Sequence, residues 1–122
     1  MLENVKKRRI ERALSEILDT FKSVKFLESE KVDLENQILG CQAVIEKGVP
    51  DLEGIKKRQK NIAERYIEIS KSFNNKKEEL IKELNLYPIF KGVFNSDISS
   101  FEKYISKDTQ NSIKELSIFL SR

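Results

Sequence analysis

Histidine and tryptophan are absent from the 122 residues, cysteine and methionine occur once each, and proline occurs twice. Without histidine the chain lacks the commonest general base and the commonest metal ligand, so neither an enzyme nor a metal site is expected. Cys41 stands alone, which excludes an internal disulfide, and no other ligand lies at a zinc-site spacing from it. A lone thiol fits a reducing compartment, and a soluble, cytoplasmic protein is the expectation. No apolar run approaches the roughly 20 residues that span a bilayer, so integral membrane insertion is not expected. The opening MLENVKKRRIER is basic, but the following ALSEILDTFKSVK carries too much charge to be the apolar stretch of a secretory signal.

Glycine is scarce as well, at four residues, while 35% of the chain is charged. Few helix breakers and many charges describe long helices with a narrow buried seam and a wide wet surface. Regular apolar spacing argues against the disorder that such a composition also permits. That spacing runs through Ile10, Leu14, Ile17, Phe21, Val24 and Leu27, breaks at Lys31, and resumes at Leu34, Ile38, Cys41 and Ile45. It restarts as Leu52, Ile55, Gln59, Ile62, Tyr66, Ile69 and Phe73, then Leu80, Leu84 and Tyr87. Sustained steps of three and four form a coiled-coil seam.

Between the two seams stands EKGVPDLEG, Glu46 to Gly54. Gly48 suits the left-handed position that ends a helix, and Pro50 suits the first position of the next. Asp51 and Glu53 then fall in its positive first turn. The stretch therefore reads as a bend at 48–50 rather than a ligand loop, with Gly54 left unexplained inside a helix. Folding the chain there pairs positions whose numbers add to about 97, so Ile38 meets Gln59, Lys31 meets Tyr66 and Ile17 meets Leu80. Charge supports the same pairing. Residues 13–54 hold nine acidic and four basic groups, a balance of −5, and residues 55–91 hold five acidic and ten basic groups, a balance of +5. The expected fold is all-α: a long antiparallel helical hairpin over residues 1–87, then one or two shorter helices within residues 88–122.

The tail begins at Pro88, which should end the second helix near Tyr87. Ser96 or Asp97 can cap a new helix that buries Ile98, Phe101 and Ile105, then Ile113, Leu116 and Leu120, with a possible restart at Asp108–Thr109. Its apolar face can fold back on the hairpin or be met by a second chain, and the second option is slightly preferred. Beside the main seam Leu18, Val32 and Leu39 widen the apolar stripe of the first helix, and Ile67 and Ile81 that of the second.

Three patterns could carry function. Leu18, Val32, Leu39 and Ile67, together with the aromatic end Tyr87, Phe90, Phe94 and Phe101, are the candidate partner-binding residues. Lys6, Lys7, Arg8, Arg9 and Arg12 could grip phosphates, though Glu3 and Glu11 interrupt the run and nucleic-acid binding would be weak. Paired carboxylates such as Glu64 with Glu68 lie off the seam, with no histidine to complete a carboxylate metal bundle. No metal or other cofactor is expected. The proportions are similar to those of small helical-hairpin chaperones of bacterial secretion and flagellar export, an analogy of architecture that carries no function. The expected function is a non-catalytic coiled-coil interaction protein (assembly subunit, adaptor or small chaperone) with a protein partner or a second copy. A nucleic-acid-binding regulator is the alternative, and a membrane-surface or pore-forming assembly component the second alternative.

Overall fold

The computed structural model of the protein describes residues 2–87 and 105–122, with side chains from Arg8 onward. Among these residues helices are the regular elements and there is no strand: α1 spans Leu2–Lys47, α2 spans Leu52–Leu86, and the short C-terminal α3 spans Lys107–Leu120. Helices α1 and α2 pack against each other as an antiparallel hairpin, the expected fold. The chain forms two compact units, one of residues 1–22 with 78–122, the other of Ser23–Lys77.

Among the described residues three helices contribute to the first unit, and it holds most of the core. Leu14, Ile17 and Phe21 of α1, Leu80 of α2, and Ile113 and Leu116 of α3 are all at most 2% exposed. The Phe21 and Phe119 rings meet at 5.5 Å between centroids and 57° between planes, a tilted arrangement that suits two ring quadrupoles. Between a folded-back tail and a second chain, the structure has the fold-back: α3 closes this unit from within. Leu18 is 8% exposed here, part of the core. Full burial of each such side chain is worth about 1.5–3 kcal/mol.

In the second unit two helices must do the same work alone. Only Val24 and Leu34 of its apolar residues are buried, whereas Ile38, Cys41, Ile45, Ile55, Ile62, Ile69 and Phe73 on the same seams are half-buried. A seam residue between two helices is covered across the seam but open to water above and below it. Leu52, expected to start the second seam, is 38% exposed beside the bend.

Contacts across the hairpin follow the expected register with a systematic offset. The Gln59 side-chain amide donates to the Ile38 carbonyl at 3.3 Å, a pair adding to 97 as expected. Side-chain to side-chain contacts run higher. Tyr66 with Glu35 and Gln59 with Gln42 add to 101, while Thr20 with Glu83 and Glu16 with Tyr87 add to 103. Every helical side chain leans toward its own N-terminus. In an antiparallel pair both partners therefore reach toward lower numbers, and touching tips carry larger numbers than the backbone level they share. The same lean corrects the expected place of Lys31. Its ammonium lies 6.0 Å from the Tyr66 ring centre but only 4.6 Å from that of Phe73, the better cation–π partner.

The bend also differs from its sequence reading in one respect. Gly48 has φ 78°, the left-handed conformation expected of it, and its amide donates to the Ile45 carbonyl at 3.2 Å. Pro50, however, is not the first helical residue; α2 starts at Leu52 with Asp51 as its cap. The Asp51 carboxylate accepts from the Gly54 amide at 3.1 Å, and its carbonyl accepts from the Ile55 amide at 3.2 Å. That geometry accounts for Gly54. A Cβ there would overlap the Asp51 carboxylate, whose Cγ would stand 2.7 Å from it. A polar cap at the start of a helix outranks a proline as first helical residue because it satisfies an otherwise unpaired N–H.

Helix α3 starts one step before the expected restart. Ser106, with φ −72° and ψ 162°, caps it by accepting from the Thr109 amide at 3.2 Å, which puts Asp108 in the first turn. Ile113 and Leu116 are buried as expected, and Phe119 and Ser117 join them, while Leu120 is only half-buried. Ser96, Asp97, Ile98 and Phe101 lie outside the described residues. The Asp51 cap is testable by a double-mutant cycle in urea. Asp51→Ala should cost about 1 kcal/mol. Gly54→Ala should gain up to about 1 kcal/mol in that background but lose the gain in the native one, where the new methyl expels the carboxylate. Equal gains in both backgrounds would mean that the two residues are independent.

Candidate interaction surface

Helical rotation sorts the side chains of the second unit into two faces flanking the seam. One face carries an open cleft of about 240 Å³ bordered by Gln37, Gly40, Cys41 and Val44 from α1 and by Ile55, Arg58 and Ile62 from α2. Val32 and Leu39 lie five residues before Gln37 and Val44, about 140° round α1. Ile67 lies nine residues beyond Arg58, two and a half turns, and so on the opposite side of α2 from it. These three side chains thus share the other face. They are 51%, 66% and 55% exposed. The expected group with Leu18 is divided, since Leu18 belongs to the core of the first unit.

The same face is braced by polar side chains. The Tyr66 hydroxyl donates to Glu35 at 2.7 Å, and Gln59 donates to Gln42 at 3.2 Å. The Glu35 carboxylate, by accepting that proton, raises the Tyr66 pKa above its ordinary 10.0, with desolvation adding to the effect. These bonds hold α1 and α2 together where their apolar contact is incomplete.

In the first unit, Arg8, Arg9 and Arg12 border a cleft of about 400 Å³ with Ala13 and Tyr87. All three arginines are exposed. Tyr87 is half-buried, and its hydroxyl donates to Glu16 at 3.4 Å. The structure therefore brings part of the basic run and the first residue of the aromatic end to one place. The side chains of Lys6 and Lys7, and Phe90, Phe94 and Phe101, lie outside the described residues. Cys41 is a half-buried free thiol. Among the described residues no three of Asp, Glu and Cys come together as a metal-ligating group, and no helix is long and apolar enough to cross a membrane.

Phe26, Leu86 and Ile118, at 63%, 72% and 62% exposure, were not singled out by the spacing. Phe26 sits between the seam residues Val24 and Leu27, and an aromatic off its seam was the available signal. Comparison with protein-family models, curated proteins and solved structures finds no match for the chain.

The Tyr66–Glu35 bond has a defined pH signature. A raised acid pKa in the fold means that the neutral phenol is stabilised. Its contribution is present in full below pH 10 and is lost as pH rises through the higher folded value. Phenolate absorbance of the native protein minus that of Tyr66→Phe should show one phenol titrating above 10, and Glu35→Gln should bring it down. A difference titration centred at or below 10 would contradict the bond.

Proposed function

We propose that the protein is a non-catalytic coiled-coil interaction protein, an assembly subunit, adaptor or small chaperone of the cytoplasm that works by presenting helical surface to a protein partner. The reading rests on Val32, Leu39 and Ile67, three exposed branched side chains on one face of a unit that has only two helices. Apolar groups aligned on a braced helical face lose water when another helix covers them, and that loss is the main source of affinity in helix-on-helix recognition. A seam left half-open by two helices gains burial from a third or fourth.

The test is capture from the native source by tagged chain, against the triple variant Val32→Ser, Leu39→Ser, Ile67→Ser. Exposed positions leave melting within about 0.5 kcal/mol of the native value, while recovery of the partner should fall at least tenfold. Equal recovery by both, or no association of any kind, would overturn the reading.

A second reading is favoured by one observation: Arg8, Arg9 and Arg12 surround a single cleft. Guanidinium groups so gathered can take nucleic-acid phosphates. Binding would then be seen by mobility shift at low salt and fade at physiological salt, and replacing the three arginines with glutamine would flatten the salt dependence by about one unit per lost phosphate contact. No shift even at low salt would remove this reading.

A further inference from the structure

We infer that the covering layer of the Val32–Leu39–Ile67 face is a second copy of this chain, docked by a two-fold axis parallel to the helices so that α1 of one copy lies on α2 of the other. The inference rests on the interaction reading above and names its partner.

Three features of the second unit select this arrangement. The first is spacing. On α1 the positions Glu28, Val32, Glu35, Leu39 and Gln42 follow each other by four, three, four and three residues, a row beside the seam that faces α2, apolar at Val32 and Leu39. On α2 the matching row is Lys56, Lys60, Ala63 and Ile67, again in steps of four and three. A helix with two such rows can be touched by two other helices.

The second feature is level. Val32 and Ile67 add to 99, between the 97 of Gln59 with Ile38 and the 101 of Tyr66 with Glu35. They therefore stand side by side on one face. An axis parallel to the helices preserves level, so Val32 of each copy meets Ile67 of the other in two equivalent contacts, as a closed dimer requires. Leu39 meets the Lys60–Ala63 step, where the lysine stem can lie along it while its ammonium stays in water.

The third is charge, which decides between the possible axes. Within the second unit, residues 23–47 carry five acidic and three basic groups, a balance of −2. Residues 52–77 carry three acidic and eight basic groups, a balance of +5. A two-fold axis running across the helices in the interface would set α1 on α1 and α2 on α2, juxtaposing the two basic helices. The axis parallel to them sets the acidic α1 of each copy on the basic α2 of the other, twice over. Opposed charges at the rim add little affinity, but like charges there are repulsive enough to select orientation.

The experiment combines association with orientation. Light scattering and sedimentation of the full chain should show a monomer–dimer equilibrium, with a dissociation constant raised at least tenfold by Val32→Ser with Ile67→Ser. In a Cys41→Ala background, chains carrying Val32→Cys and differently tagged chains carrying Ile67→Cys are then mixed and oxidised. Disulfides should join unlike tags in preference to like ones. A monomer at every concentration, a dimer indifferent to both serine variants, or Val32→Cys chains joined chiefly to one another would overturn the inference. Partner capture in the preceding experiment reads a different molecule, so a monomer that still captures a partner through this face overturns the dimer and leaves the interaction reading standing.

Discussion

Two helices can bury only the strip along which they touch, and the number of helices around a seam decides nearly everything else in this protein. Where α3 joins α1 and α2, the seam side chains reach complete burial and an aromatic pair closes over them. In the Ser23–Lys77 unit the same kind of residue at the same kind of spacing stays half-exposed. Hydrophobic stabilisation scales with the area removed from water, so most of it comes from the unit that includes α3. What the two-helix unit lacks in burial it retains as surface available to another molecule.

Polar contacts supplement the thinner burial of the second unit. The Tyr66–Glu35 and Gln59–Gln42 bonds, and the Lys31 ammonium over Phe73, lie in the unit with the thinner apolar contact. Each exposed contact of this kind contributes modestly. Their larger effect is on register: a one-step slip would separate Gln59 from both of its acceptors, while apolar contacts alone would tolerate it. The opposite charge balances of α1 and α2 work in the same direction, disfavouring pairings of like helices.

Much of this was readable from residue order. Helix content, the two seams, the bend at Gly48 and the antiparallel pairing follow from periodicity and from glycine's tolerance of positive φ, all of which are local properties. The cap was misread because Pro50 and Asp51 both suit a helix start. Only the carboxylate's approach to the Gly54 amide separates them, and it accounts for a glycine that spacing left without a role. The expected contact of Lys31 with Tyr66 is present, but the ammonium lies nearer Phe73, since side-chain lean is a three-dimensional property that shifts every pair.

The candidate surface divides along the same line. Leu18, Val32, Leu39 and Ile67 look alike in sequence, each an apolar residue beside a seam. What separates the first from the others is the presence of α3 in its unit, and a helix 14 residues long placed by tertiary folding cannot be inferred from the neighbours it covers. The sequence by itself determined which residues could form helices, where the chain turns and which helix pairs with which, because those depend on nearest neighbours and summed charge. Tertiary structure decided which apolar flanks became core and which remained surface, because burial depends on how many chain segments converge on a place.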